Sequence, residues 1–141
     1  PVAESATRFA FTEEHDGLRD LVRSFVTRRV DETAVRDQLT SDRGFDLETW
    51  QALGSDLGVL GLALPEAAGG DGAGVVPLAI VAHELGRMPS GLPLLGSVVL
   101  AGTVLAGCGR ADLVQEVVAG REDVWKKRVQ ELLETLGRML T

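Results

Sequence analysis

The sequence predicts an all-α fold, a helical bundle of about six helices followed by one amphipathic C-terminal helix. Three observations carry that expectation. Apolar residues recur at helical spacing in one segment after another. Residues suited to N-caps stand immediately ahead of several of those segments. Ala, Leu, Val and Gly abound, whereas the aromatics are four Phe and two Trp with no Tyr, a mix suited to close-packed helices rather than a β-sandwich. A chain of 141 residues is long enough for one domain with a single sizeable core.

The first helix opens at Thr12, a good N-cap, with Glu13, Glu14 and Asp16 in the first turn, where the helix dipole favours acids. Leu18, Leu21, Val22, Phe25 and Val26 carry its apolar face as far as Val30. Asp31 caps a shorter helix through Ala34, Val35 and Leu39, and the polar stretch 40–44 reads as a loop. Asp46 caps a third helix with Leu47, Trp50, Leu53 and Leu57 on one face, stopped by Gly58. Val59 to Leu64 is a short apolar run with no second strand signal nearby to pair with it, so it reads as a buried connecting segment. Residues 65–74 hold five Gly or Pro and form a loop. Further helices are expected over 76–87, 93–106 and 111–119, separated by 88–91 and 107–110.

The formal net charge of −7 argues against nucleic acid and against anionic membrane surfaces as partners. The longest apolar stretch, 92–106, is broken by Pro93, Gly96 and Gly102 and falls short of the ~20 residues that a bilayer span requires. One cysteine, Cys108, precludes an internal disulfide, and the N-terminal residues lack the hydrophobic core of a signal peptide. A soluble, cytoplasmic protein is therefore expected.

Composition changes near residue 120, which divides the chain into a domain over 1–120 and a helix over 121–141. The first part uses nine arginines and no lysine against seventeen acids, while the last 21 residues hold both lysines and carry five basic and four acidic groups. In this tail Trp125, Val129, Leu132, Leu136 and Met139 step by 4, 3, 4 and 3. Glu122–Lys126, Asp123–Lys127 and Glu134–Arg138 are acid-before-base pairs one turn apart. Such a stripe serves either as an interface for a partner or as a face packed on the chain's own bundle. With about two and a half heptads, it falls short of the length that argues for a coiled coil.

Candidate chemical motifs fail on spacing. His83-Glu84 opens like a zinc-protease helix, but Arg87 stands where the second histidine is needed, so an ordinary surface histidine beside an acid is expected. His15 reads as equally incidental. Gly69-Gly70-Asp71-Gly72-Ala73-Gly74 has neither the Lys-Ser/Thr ending of a P-loop nor a preceding βαβ unit, and Asp71 would repel a phosphate. Cys108, between two glycines, has no base beside it in sequence to lower its pKa. Gly96, Ser97, Ala101 and Gly102 admit close approach of either a neighbouring helix or a slender ligand.

A family resemblance enters through the run Leu57-Gly58-Val59-Leu60-Gly61-Leu62, then Pro65-Glu66, then Gly69-Gly70-Asp71-Gly72. This order resembles the acyl-CoA dehydrogenase family. Phe11-Thr12-Glu13-Glu14, Ala82-His83-Glu84-Leu85-Gly86-Arg87, and Leu92-Pro93-Leu94-Leu95 with Ser97 continue the likeness, which covers roughly residues 9–121. It implies the N-terminal helical domain of an FAD-dependent oxidoreductase of fatty acid metabolism. In that family a carboxylate removes the α-proton of an acyl thioester while the β-hydrogen leaves as hydride to the flavin.

The base belongs to a C-terminal helical part and much of the flavin to a β-domain, and neither has a counterpart here. The resemblance therefore implies no catalytic residue and no cofactor in this chain alone, with FAD and acyl-CoA bound only in a complete enzyme. It assigns Leu94, Leu95, Val98, Val99 and Gly102 to one wall of the acyl pocket. Two departures are Ala68, where an aromatic often precedes the glycine pair, and the lysine-containing helix in place of the β-domain. Two functional expectations follow: an inactive dehydrogenase domain completed by a homo-oligomer or a partner, or a helical interaction module without catalysis.

Overall fold

The computed structural model describes residues 10–121, together with Glu134, Gly137 and Arg138. Six α-helices and no strand are found among the described residues: α1 (Glu13–Arg29), α2 (Glu32–Thr40), α3 (Leu47–Ser55), α4 (Val75–Gly86), α5 (Thr103–Gly107) and α6 (Ala111–Val118). The tail stripe of Trp125, Val129, Leu132, Leu136 and Met139 lies outside the described residues.

Side chains begin the first three helices. Thr12 Oγ1 accepts the His15 backbone N–H at 3.3 Å, and His15 Nδ1 accepts the Thr12 N–H at 3.2 Å. This is a capping box with histidine in the place usually held by Glu or Gln, so His15 is not incidental. Asp31 and Asp46 cap α2 and α3 by accepting the N–H groups of Ala34 and Thr49. Helix α3 ends at Ser55, earlier than its apolar pattern suggests. The N–H of Val59 then reaches back to the Leu53 carbonyl across Gly58, whose φ of 67° allows the reversal.

The run from Val59 to Leu64 is a buried connection, as expected. Val59, Leu60 and Leu64 are almost wholly enclosed, and each such side chain contributes about 1.5–3 kcal/mol through burial. They join Val22, Phe25, Trp50, Leu53, Val81 and Val98 in or beside one core. The expected helix over 93–106 is not uniform. Leu94–Gly102 is wound as a π-helix, and only then does the backbone tighten into α5. The wider turn places Leu94, Val98, Ala101 and Gly102 inward and leaves Leu95 and Leu100 exposed.

Helices α1 and α4 make the most extensive helix–helix contact in the described chain. One ion pair sits in their seam. Arg23 donates through Nε and Nη2 to both carboxylate oxygens of Glu84, each at 3.0 Å, although 61 residues separate the two in sequence. Glu84 is fully buried, while the Arg23 side chain is 43% exposed. His83 Nδ1 lies 3.2 Å from Glu84 Oε1, and Arg87 Nε lies 3.7 Å from Oε2. His83 is thus on the surface, as its sequence context suggests, but its neighbour Glu84 is not an ordinary surface acid. The Arg23 hydrogen bonds hold the Glu84 carboxyl below its ordinary range, against the upward push of burial.

Glu84→Gln preserves shape and removes the charge, and at neutral pH it should cost roughly 2 kcal/mol, the scale of hydrogen bonds to a charged group. Because the folded carboxyl titrates below 4.5, the unfolded chain takes up this proton first as pH falls. The wild type should therefore shed its advantage over the variant as pH drops below about 4.5. Urea denaturation of both proteins at pH 7 and near pH 3 measures the gap. An undiminished gap at low pH would refute the assignment.

Candidate functional site

The glycine-rich loop is the first place to look for a ligand, and its backbone answers the question. The N–H groups of Ala68, Gly69, Gly70, Asp71, Gly72 and Ala73 all donate to protein carbonyls, at 2.7–3.0 Å. Asp71, Ala73 and Gly72 reach back to Gly61, Leu62 and Leu64, so the loop folds along the buried connection. A phosphate cradle needs free amides converging on one point, and these six are engaged. Gly70 is required for a different reason: a Cβ there would lie 2.2 Å from the Leu64 carbonyl oxygen. Gly70 thus serves close backbone packing, while Gly69, Gly72 and Gly74 take the positive φ of 91°, 61° and 89° that turns the loop.

The other sequence candidates remain separate. Cys108 is exposed, more than twenty residues beyond His83 in the chain. Among the described residues no group of three or more His, Cys, Asp and Glu is placed to hold a metal ion, and no helix is long and apolar enough to cross a membrane. Asp112 is held at about 2 by its paired hydrogen bonds from Arg110, 2.8 and 3.0 Å long. Both residues of that pair are exposed at the start of α6.

An apolar groove of about 410 Å³ runs along the end of α4 and the segment that follows it. Leu85, Gly86, Met88, Leu92, Leu94 and Leu95 line it, and Ser90 is its only hydroxyl-bearing residue. Among the described residues no ionisable side chain lines it, so a ligand would meet aliphatic side chains, the Ser90 hydroxyl and backbone polar groups but no charge. Its rim is held from behind. Gly91 has φ 62°, and a Cβ on it would lie 2.4 Å from the Gly44 carbonyl oxygen. The α2–α3 loop therefore clamps the groove segment backbone to backbone.

Of the five residues expected at a pocket wall, Leu94 and Leu95 line this groove. Leu95 is 66% exposed and presents the larger surface. Val98 belongs to the core, Val99 is half-buried, and Gly102 packs beneath the Leu64 methyls, which a Cβ would meet at 3.1–3.2 Å. Gly102 allows the Leu64 side chain of the connecting segment to pack against the π-helix backbone. Sequence reasoning did not name Leu85, Met88 or Leu92 for the groove, nor Glu84 for the α1–α4 seam. Glu84 lies in register with the buried Ile80, Val81 and Leu85, and that register is the signal that could have found it.

The family model described as "Acyl-CoA dehydrogenase, N-terminal domain" matches residues 12–134. Acyl-CoA dehydrogenase IpdE2 of Mycobacterium tuberculosis is 39% identical over 94 residues, spanning 67% of this chain and 30% of that protein. FadE27 of the same organism is 37% identical over 107 residues, or 76% and 28% of the two chains. The ChsE4–ChsE5 complex from Mycobacterium tuberculosis aligns with a TM-score of 0.69 at 35% identity, covering 79% of this chain and 32% of its own. A variant of the Tcur3481–Tcur3483 steroid ACAD aligns with the same score and identity, covering 77% and 30%. The chain thus spans about 30% of the length of these relatives.

Gly91→Ala tests the clamp. It combines a left-handed backbone with a clash against Gly44, and should destabilise the fold by about 2–3 kcal/mol. Gly96→Ala, where a Cβ meets open space, should be neutral or slightly stabilising. Parallel urea melts decide the matter, and equal midpoints for the two variants would show that the contact does not hold the rim.

Proposed function

The chain belongs to the acyl-CoA dehydrogenase family, and on that premise we propose that it forms the N-terminal helical part of an enzyme that desaturates acyl thioesters between the α and β carbons. The observation that carries the proposal is the groove beyond α4, whose lining side chains are apolar apart from Ser90 and which borders Leu94 and Leu95. An acyl group laid against it gains apolar contact and meets no charge. The groove is one-sided, so the chain acts as a wall, and the opposite wall comes from other parts of the enzyme.

Flavin, the cofactor of the family, finds no cradle in the glycine-rich loop. The six amides that would have to face a pyrophosphate are bonded to carbonyls, and the Asp71 carboxylate adds like charge. FAD in this reading is held by parts of the enzyme outside this segment, which also supply the base that takes the α-proton. Ser90 and the aliphatic groove residues have no group basic enough for that task.

Two further features of the reading come from the relatives. Both solved structures carry the names of two proteins, and one is described as a steroid ACAD. A two-chain assembly acting on the acyl side chain of a polycyclic substrate is therefore the assignment we favour. A broad groove lined by Gly86, Gly91 and leucines is compatible with a rigid, flat hydrocarbon.

Amide NMR of the purified chain, titrated with octanoyl-CoA and with a steroid carried as its CoA thioester, tests the proposal. Saturable shifts are expected at residues 85–95, with weak affinity in the millimolar range and stronger for the steroid. Leu95→Asp should abolish them without lowering the melting temperature, since Leu95 is exposed. After incubation with excess FAD and desalting, no flavin absorbance should remain on the chain. Shifts confined to other residues would overturn the wall assignment, and retained flavin would overturn the division of labour.

A further inference from the structure

The end of α2, the loop after it and the start of α3 border a pocket of about 400 Å³ that shares no lining residue with the groove beyond α4. Ala34, Phe45 and Leu47, all half-buried, supply its apolar wall. Gln38 also lines it and is only 8% exposed, although its side chain is polar. The Gln38 Oε1 atom is enclosed and accepts no hydrogen bond. Among the described residues it is the one buried side-chain nitrogen or oxygen left without a partner. Buried acceptors are as a rule paired, because an acceptor that gives up water for nothing is costly.

The donors closest in the chain are committed elsewhere. The Ser41 hydroxyl donates to the Gln38 backbone carbonyl at 2.9 Å, and the Ser41 N–H reaches the same carbonyl at 3.1 Å. Ser41 Oγ in turn accepts the Gly44 N–H at 3.0 Å. Arg43 lines the pocket as well, without donating to Oε1. The main chain of Gln38 thus ties down the loop while its side-chain oxygen lacks a donor. Charge does not select what would supply one. Asp37 and Asp46 share the lining with Arg43, and Asp46 already accepts the Thr49 N–H and lies in the field of Arg29. What the pocket lacks is a donor beside its apolar wall.

From this juxtaposition we infer that the α2–α3 pocket binds an uncharged O–H or N–H donor on a short apolar stem, an alcohol or a primary amide. The donor serves Gln38 Oε1, and the stem lies on Ala34, Phe45 and Leu47. The torsion that carries the Gln38 amide is soft, so the oxygen turns toward a donor seated in the pocket without moving the helix. A volume of about 400 Å³ falls within the range of small-molecule sites. An ether of the same size gains the apolar contact but leaves Oε1 unpaired, and a carboxylate sets acceptor against acceptor. A lone water needs two or more polar partners and leaves the apolar wall uncovered.

Butan-1-ol and its isomer methyl propyl ether, which has the same atoms but no donor, probe the pocket of the full chain by amide NMR, with butyramide as the N–H probe. The alcohol and the amide should give saturable shifts over residues 34–47. Both should bind about tenfold more tightly than the ether, the scale of one buried hydrogen bond. Gln38→Met nearly keeps the side-chain volume and removes the acceptor. It should erase the preference for alcohol over ether with circular dichroism unchanged, and raise the melting temperature of the free chain. If that variant fails to fold, the comparison of isomers on the wild type decides alone. Equal binding of the two isomers, a preference unchanged by Gln38→Met, or shifts confined to other residues overturns the inference. So does a long-lived water at the Gln38 amide with no saturable shift, which would make water the sole occupant. A Gln-containing tripeptide capped at both ends separates the sources of the donor, and either result keeps the site. Tighter binding than butyramide assigns it to a side chain of another polypeptide, and weaker binding to a free small molecule. These readouts do not involve acyl-CoA, so the inference stands or falls independently of the wall assignment.

Discussion

A carboxylate taken out of water must find its compensation in the protein, and Glu84 finds it in a helix more than sixty residues away in sequence. Its two oxygens accept from Nε and Nη2 of Arg23, and that fork fixes where α4 can lie against α1. An apolar seam alone tolerates sliding by a turn at modest cost, because one leucine contact replaces another. Here a slip of one turn, about 5.4 Å, would leave the Glu84 charge bare in the interior. The pair thus sets register as well as affinity between the helices. Everything attached to α4 inherits that register, from the exposed valines at its start to the groove segment that leaves its end.

The glycines illustrate a second constraint. A stretch such as Gly69 to Gly74 looks open, yet its amides are closed onto the buried connection, and Gly70 sits where any side chain would strike Leu64. At Gly70 the chain relies on backbone contact rather than side-chain packing. Gly91 against Gly44 repeats the device and couples the α2–α3 loop to the rim of the groove beyond α4. A loop remote from the groove in sequence thereby becomes part of its architecture.

Much of the fold was legible in the residues. Thr12, Asp31 and Asp46 announce three helix starts through side-chain oxygens that seek orphan N–H groups, and all three accept those bonds. Local chemistry of this kind is readable because cause and effect lie within one turn. The π-helix at Leu94–Gly102 was not legible, since apolar spacing near four does not separate a widened turn from an ordinary one. Glu84 was missed for the converse reason: its partner is far off in sequence, and only the assembled seam shows that an acid beside a surface histidine is buried. The groove was half legible. Leu94 and Leu95 came from resemblance, whereas Leu85, Met88 and Leu92 required knowing that the chain turns back after α4.

What one wall of a pocket can contribute is bounded by the area it covers. Full burial of a methylene is worth about 0.8 kcal/mol, so an eight-carbon chain enclosed on all sides gains about 6 kcal/mol. Laid in a one-sided groove it keeps roughly half its surface in water and gains about 3 kcal/mol, before the loss of its own freedom is counted. That is millimolar affinity or weaker. Hydride removal also needs the reacting carbons held dry beside cofactor and base, a condition that an open groove does not meet. Affinity and chemistry in this reading both arise when the opposite wall arrives. The specific contribution of this chain is then the shape and rigidity of its own wall, and these rest on the ion pair in the α1–α4 seam and the backbone clamp at Gly91.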